Sequence, residues 1–95
     1  MAGYWIIFAT EKDDAAALAE YRRLWPPLAE RYGARIISGY GRTEFREGEP
    51  QDRGIIVEFA SYEDAVACYD DPEYQASKVF SDRGYNRSLA IVEGQ

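Results

Sequence analysis

The chain is 95 residues long, carries a formal net charge of −6 and contains no histidine and one cysteine. Its length suits one domain over residues 1–95 with a thin core, and its acidity without a basic block argues against nucleic acid and against an anionic membrane surface. The missing histidine removes His-based triads, imidazole metal sites and a histidine haem ligand, and the single Cys68 removes an internal disulfide and any cysteine cluster.

No apolar run approaches the ~20 residues of a spanning helix, and the N-terminus lacks a signal-peptide pattern. The expectation is a soluble, cytoplasmic protein whose chemistry, if any, rests on carboxylates, Tyr, Lys, Arg, Ser or the lone Cys. Eight tyrosines and two tryptophans supply large apolar area with polar tips, which suits interfaces and pockets.

Tyr4–Ala9 is apolar on both alternating faces and predicts a central strand covered on both sides. Asp13 or Asp14 then supplies an N-cap. Leu18, Tyr21, Trp25, Leu28 and Tyr32 follow at helical spacing, with Pro26-Pro27 predicting an interruption and Gly33 a helix-ending residue of positive φ. Arg35–Tyr40 predicts a second strand. The polar stretch Gly41–Arg53 predicts a long hairpin connection, mobile and anchored only by Phe45.

The strand predicted at Gly54–Ala60 has one face of Ile55, Val57 and Phe59 and another of Ile56, Glu58 and Ala60. Ser61 with Asp64 three residues on resembles a capping box, opening a helix whose buried stripe is Tyr62, Ala65, Val66 and Tyr69. Asp71-Pro72 restarts a short helix, with Ala76, Val79 and Phe80 as its apolar side. Gly84–Ser88 predicts a loop and Leu89–Val92 the last strand. The order βαββαβ, with right-handed crossovers, predicts an α+β ferredoxin-like antiparallel sheet with both main helices on one face. The other face then needs a cover, for which a second copy of the chain is the simplest candidate.

Several short motifs carry a family resemblance: Glu20-Tyr21, Tyr32-Gly33, Glu47-Gly48, Arg53, Glu58-Phe59, Ala65, Tyr69-Asp70, Pro72-Glu73-Tyr74-Gln75 and Val92-Glu93-Gly94. In that spacing they resemble the family called domain of unknown function 1330, across nearly the whole chain. The resemblance implies a dimeric α+β barrel, in which two ferredoxin-like sheets face each other. Proteins of that wider architecture include small monooxygenases, lactone isomerases and haem-degrading enzymes, so the fold alone selects no function. The chain departs from the family pattern at Gly39 and Ser81, where arginines are expected. An anion-binding role for those arginines would fall here to Arg83 or Arg53.

Glu58 is the candidate general base, since a carboxylate desolvated among apolar neighbours has its pKa raised. The alternative is a structural ion pair with Arg53, Lys78 or a residue of the partner chain. Tyr21, Tyr40 and Tyr74 are candidate donors, although Tyr21 also fits a packed core position and Tyr40 could fill a cavity open in relatives. Arg53, Lys78 and Arg83 could bind a substrate carboxylate or remain solvated charges. Cys68 fits a packed thiol rather than a reactive one.

Two readings of function follow. One is a homodimeric binder or enzyme that holds a small organic acid or aromatic molecule between sheet and helices, without metal, nucleotide or other cofactor. There Glu58 is anchor or base, with Tyr21, Tyr74 and Lys78 around it. The other is a non-enzymatic homodimeric structural or interaction module.

Overall fold

The structure is a computed structural model covering residues 1–95. Its elements run β1 (Gly3–Glu11), α1 (Ala15–Tyr32), β2 (Arg35–Ser38), β3 (Arg53–Phe59), α2 (Tyr62–Asp70), α3 (Pro72–Gly84) and β4 (Tyr85–Glu93). The four strands form one antiparallel sheet in the order β2-β3-β1-β4, so the two strands read as apolar on both faces are its centre. With βαββαβ connectivity this is the ferredoxin-like α+β arrangement that the sequence predicts.

Alternation sorts the side chains of β1. Trp5, Ile7 and Ala9 are buried under the helices, joined by Val57 and Phe59 of β3. Trp5 is the hub of that core: its ring lies 5.4 Å from Trp25, 5.2 Å from Phe59 and 5.1 Å from Tyr74. Its indole N–H donates to the Ala65 carbonyl at 3.0 Å, so a fully buried donor is satisfied. The opposite face carries Tyr4, Ile6, Phe8 and Ile56, all only half-buried, and Val92, which is exposed.

The cap of α1 is Asp14, whose carboxylate accepts from Ala17 N at 3.0 Å. Gly33 ends the helix at φ 64°, the left-handed conformation glycine adopts without penalty. The prolines do not interrupt the helix as predicted. Both lie on its exposed side, where water can satisfy the carbonyls of Arg22 and Arg23 that lose their helical donors.

Three further expectations are corrected. The buried row of α3 is Tyr74, Ser77, Ser81 and Gly84, while Ala76 and Val79 are exposed and Phe80 is half-buried. The small residues permit close packing against α1: a Cβ added at Gly84 would lie 2.8 Å from Leu18 Cδ2. Each serine donates back within its own helix, Ser77 Oγ to the Tyr74 carbonyl at 2.6 Å and Ser81 Oγ to that of Lys78 at 3.1 Å, so neither carries an unsatisfied hydroxyl. Tyr62 is exposed rather than in the α2 stripe, and Cys68 is buried in its place. Finally, Gly84–Ser88 is no loop, because α3 passes directly into β4 at Tyr85.

The β2–β3 connection is less free than its polarity predicts. Phe45 packs edge-on against Phe8 at 5.0 Å, Thr43 Oγ1 accepts from Gly54 N at 2.9 Å, and Thr10 Oγ1 bonds both Gln51 Oε1 at 2.6 Å and Asp52 N at 3.2 Å. The connection thus covers one end of the open face with its own side chains.

Candidate functional site

Between α1 and the sheet lies a cavity of about 450 Å³. Ten of its fourteen lining residues are hydrophobic, including both tryptophans, Trp5 and Trp25. Its polar groups are tyrosines and three arginines, Arg22, Arg53 and Arg87, and its wall has no carboxylate, imidazole or thiol.

Arg87 is the functional residue that the sequence reading misses, because Gly84–Ser88 reads as a loop. As the third residue of β4 it pairs with Ala9 of β1 and so projects to the helix side. Its Nη2 donates to Tyr74 Oη at 2.8 Å and to Ser81 Oγ at 3.2 Å, and its Nη1 donates to Tyr21 Oη at 3.3 Å. The two phenol oxygens are themselves 2.9 Å apart. The guanidinium also lies 5.2 Å from the Tyr21 ring centre and 6.0 Å from that of Tyr85, close enough for cation–π attraction. The signal available in the sequence was period two: Tyr85, Arg87, Leu89 and Ile91 share one face, as a strand running back from Leu89 requires.

Desolvation works against the charge of Arg87, but the surrounding phenol oxygens outweigh it and hold the guanidinium firmly protonated. Burial, reinforced by Tyr21, pushes the Tyr74 phenol well above its ordinary range, so it is a neutral hydrogen-bonding group and no base.

The predicted site residues divide into separate groups. Tyr21, Tyr40 and Arg53 line the cavity, although Tyr40 is 86% exposed and stands at its edge. Tyr74 is fully buried behind Tyr21. Glu58 lies on the other face of the sheet, as its alternation requires, where it accepts from Arg35 Nη2 at 2.6 Å and from Tyr4 Oη at 3.4 Å. Tyr21, Tyr74 and Lys78 therefore do not surround it. Its ion-pair partner is Arg35, and not Arg53 or Lys78. Lys78 sits 5.1 Å from the Tyr69 ring centre, outside the cavity wall, and Arg83 is exposed on the last turn of α3.

Residues 2–95 match the model of the domain of unknown function DUF1330. The chain belongs to the DUF1330 family. No functionally curated protein matches it. Among solved structures, the DUF1330 chain is similar to RPA0582 from Rhodopseudomonas palustris, a protein of unknown function, at 21% identity and a TM-score of 0.74; the match covers 99% of this chain and 82% of that one. A dimeric protein of unknown function and ferredoxin-like fold from Bacteroides fragilis aligns at 16% identity and TM-score 0.59, covering 98% and 96% of the two chains. SnoaB from Streptomyces nogalater, a cofactor-independent oxygenase, aligns at 10% identity and TM-score 0.54, covering 99% and 93%. At such identities these likenesses establish the fold of the DUF1330 chain and nothing finer. No helix in it is long and apolar enough to cross a membrane.

Proposed function

We propose that this DUF1330 protein is a homodimer that binds a small organic acid or aromatic molecule in the cavity between α1 and the sheet. The observation that carries this reading is the cavity itself: its volume suits a small ligand, and its aromatic lining includes three arginines and no acidic residue. The chemistry of the wall favours binding and orientation, with Tyr21 as a hydrogen-bonding phenol, over proton abstraction by the protein. A cofactor-free ligand site agrees with a chain that has no histidine and one buried cysteine. SnoaB, a cofactor-independent oxygenase, offers a precedent on this fold.

Both tryptophans of the chain line the cavity, so ligand entry must perturb intrinsic fluorescence. Titration with small aromatic and organic acids is expected to shift or quench that emission in a saturable way. Emission unmoved by every such compound would overturn the reading. Glu58→Gln is expected to leave these titrations unchanged, because Glu58 is on the far face.

A second reading, a non-enzymatic homodimeric module, is favoured by the open face of the sheet. There Tyr4, Ile6 and Ile56 present apolar surface, and the Glu58–Arg35 pair could fix the register of two copies. The Bacteroides fragilis neighbour, described as dimeric, supports the homodimer common to both readings. Under the second, Glu58→Gln weakens association.

A further inference from the structure

We propose that Arg53 and Arg87 form a clamp above Ala9 that holds the carboxylate of a planar aromatic acid. The proposal rests on the cavity being a ligand site and adds the chemical class of the ligand and the groups that select it. Ala9 of β1 pairs with Arg53 of β3 on one side and with Arg87 of β4 on the other. All three stand in one cross-strand row on the helix side of the sheet, and all three line the cavity. Adjacent strands are about 4.8 Å apart, which puts the two arginine backbones about 10 Å apart with one methyl group between them. Two arginine side chains rising from such a row can converge on one anion.

Neither guanidinium has an anionic partner. The ion pairs of the molecule include Arg22 with Glu11 at 3.0 Å, but neither Arg53 nor Arg87 takes part in one. In a chain with 17 acidic residues against 11 basic ones, carboxylates are the more abundant charge, yet the cavity wall has none. Two arginines without an ion-pair partner at an apolar cavity can receive an incoming anion, with Glu11 and Asp52 beside Arg53 in the adjoining recess rather than in the cavity wall. Arg87 is moreover held in place by Tyr21, Tyr74 and Ser81, which take three of its five N–H groups and leave two free. The rest of the slot, with Trp25, Tyr85, Ile7 and Ile55, has the apolar and aromatic character that receives a flat ring.

The test uses the full chain, naphthalene-2-carboxylate and benzoate as acid probes, and the corresponding neutral amides. Calorimetric titration is expected to show each acid binding on the order of 10-fold or more tightly than its amide, as for charge-assisted hydrogen bonds. Arg53→Gln is expected to abolish that preference. The Arg53 side chain makes no hydrogen bond or ion pair within the protein, so this variant should fold with an unchanged melting temperature. Arg87→Gln should also lose the preference, at some cost in stability. Equal affinity for acid and amide, or a preference that survives Arg53→Gln, would overturn the clamp while leaving the cavity as a ligand site. Binding of none of the four probes, with unmoved tryptophan emission, would count against the cavity reading and the clamp together.

Discussion

Arg87 on β4 donates to Ser81 Oγ on α3 at 3.2 Å. Ser81 stands where the family resemblance places an arginine, so a guanidinium reaches that ground from β4 instead of from α3. It is Arg87, and neither Arg83 nor Arg53, that stands beside this serine, while Arg53 meets the cavity from the other side of Ala9.

Arg87→Lys tests how far the geometry of that fork matters. A lysine keeps the charge but is a compact point donor that cannot reach Tyr21, Tyr74 and Ser81 together. Leaving the phenols under-bonded should cost about 1.5–3 kcal/mol, the range for hydrogen bonds to charged groups. Urea unfolding should show a lower midpoint with the slope retained. An unchanged midpoint would mean that the network adds nothing to stability.

The junction of α1, α2 and α3 should carry a pH signature. The Tyr32 hydroxyl bonds the Asp71 carboxylate at 2.6 Å, and that bond, the Glu73 N–H at 2.8 Å and Arg31 at 2.9 Å hold the Asp71 pKa below its ordinary value. A depressed carboxylate pKa contributes stability above its unfolded value, lost as pH falls through the folded one. Tyr32 is shifted the opposite way, upward, first by its bond to Asp71 and then by burial. Its contribution is present below the unfolded tyrosine pKa and lost as pH rises through the folded one. Asp71→Asn should lower the melting temperature at neutral pH and flatten both limbs of its pH profile. Limbs as steep as those of the unaltered protein would exclude this pair as their source.

Cys68 should be silent toward thiol reagents. It is fully buried, and desolvation, with the Asp71 charge adding to it, pushes its pKa up to about 12. Labelling in native buffer should therefore proceed only through opening of the fold and accelerate in parallel with urea unfolding. Rapid stoichiometric labelling of the native protein would contradict the packing of α2 against β1.

The open sheet face makes the proposed homodimer testable. Ile56 pairs with Ile6 at the centre of that face, and both are only half-buried in one copy of the chain. An obligate interface there should bury more than ~1,000 Å². Sedimentation is expected to give a dimer at low micromolar concentration. Ile56→Lys should give dissociation with coupled loss of structure, because a charge would face its own copy across an apolar contact. A folded monomer from the unaltered protein would refute the dimer.

The features legible in the amino-acid order are those governed by local rules. Two-sided apolar strands at β1 and β3 identify the centre of the sheet; Asp14 and Gly33 bound α1; alternation places Glu58 away from the helices. Periodicity and capping act within a few residues, so they are readable without knowing what packs where. Which polar residues go inside depends instead on how the elements pack. Ser77, Ser81 and Arg87 look solvent-facing by composition, yet close packing of α3 on α1 buries the serines, and two tyrosines from different helices make a bonded environment for the arginine. The meeting of Arg53 and Arg87 across Ala9 likewise depends on strand order and register, which bring together residues 34 positions apart. A buried polar side chain is stable only where its partners converge on it, and that convergence is a property of the folded chain and of no segment within it.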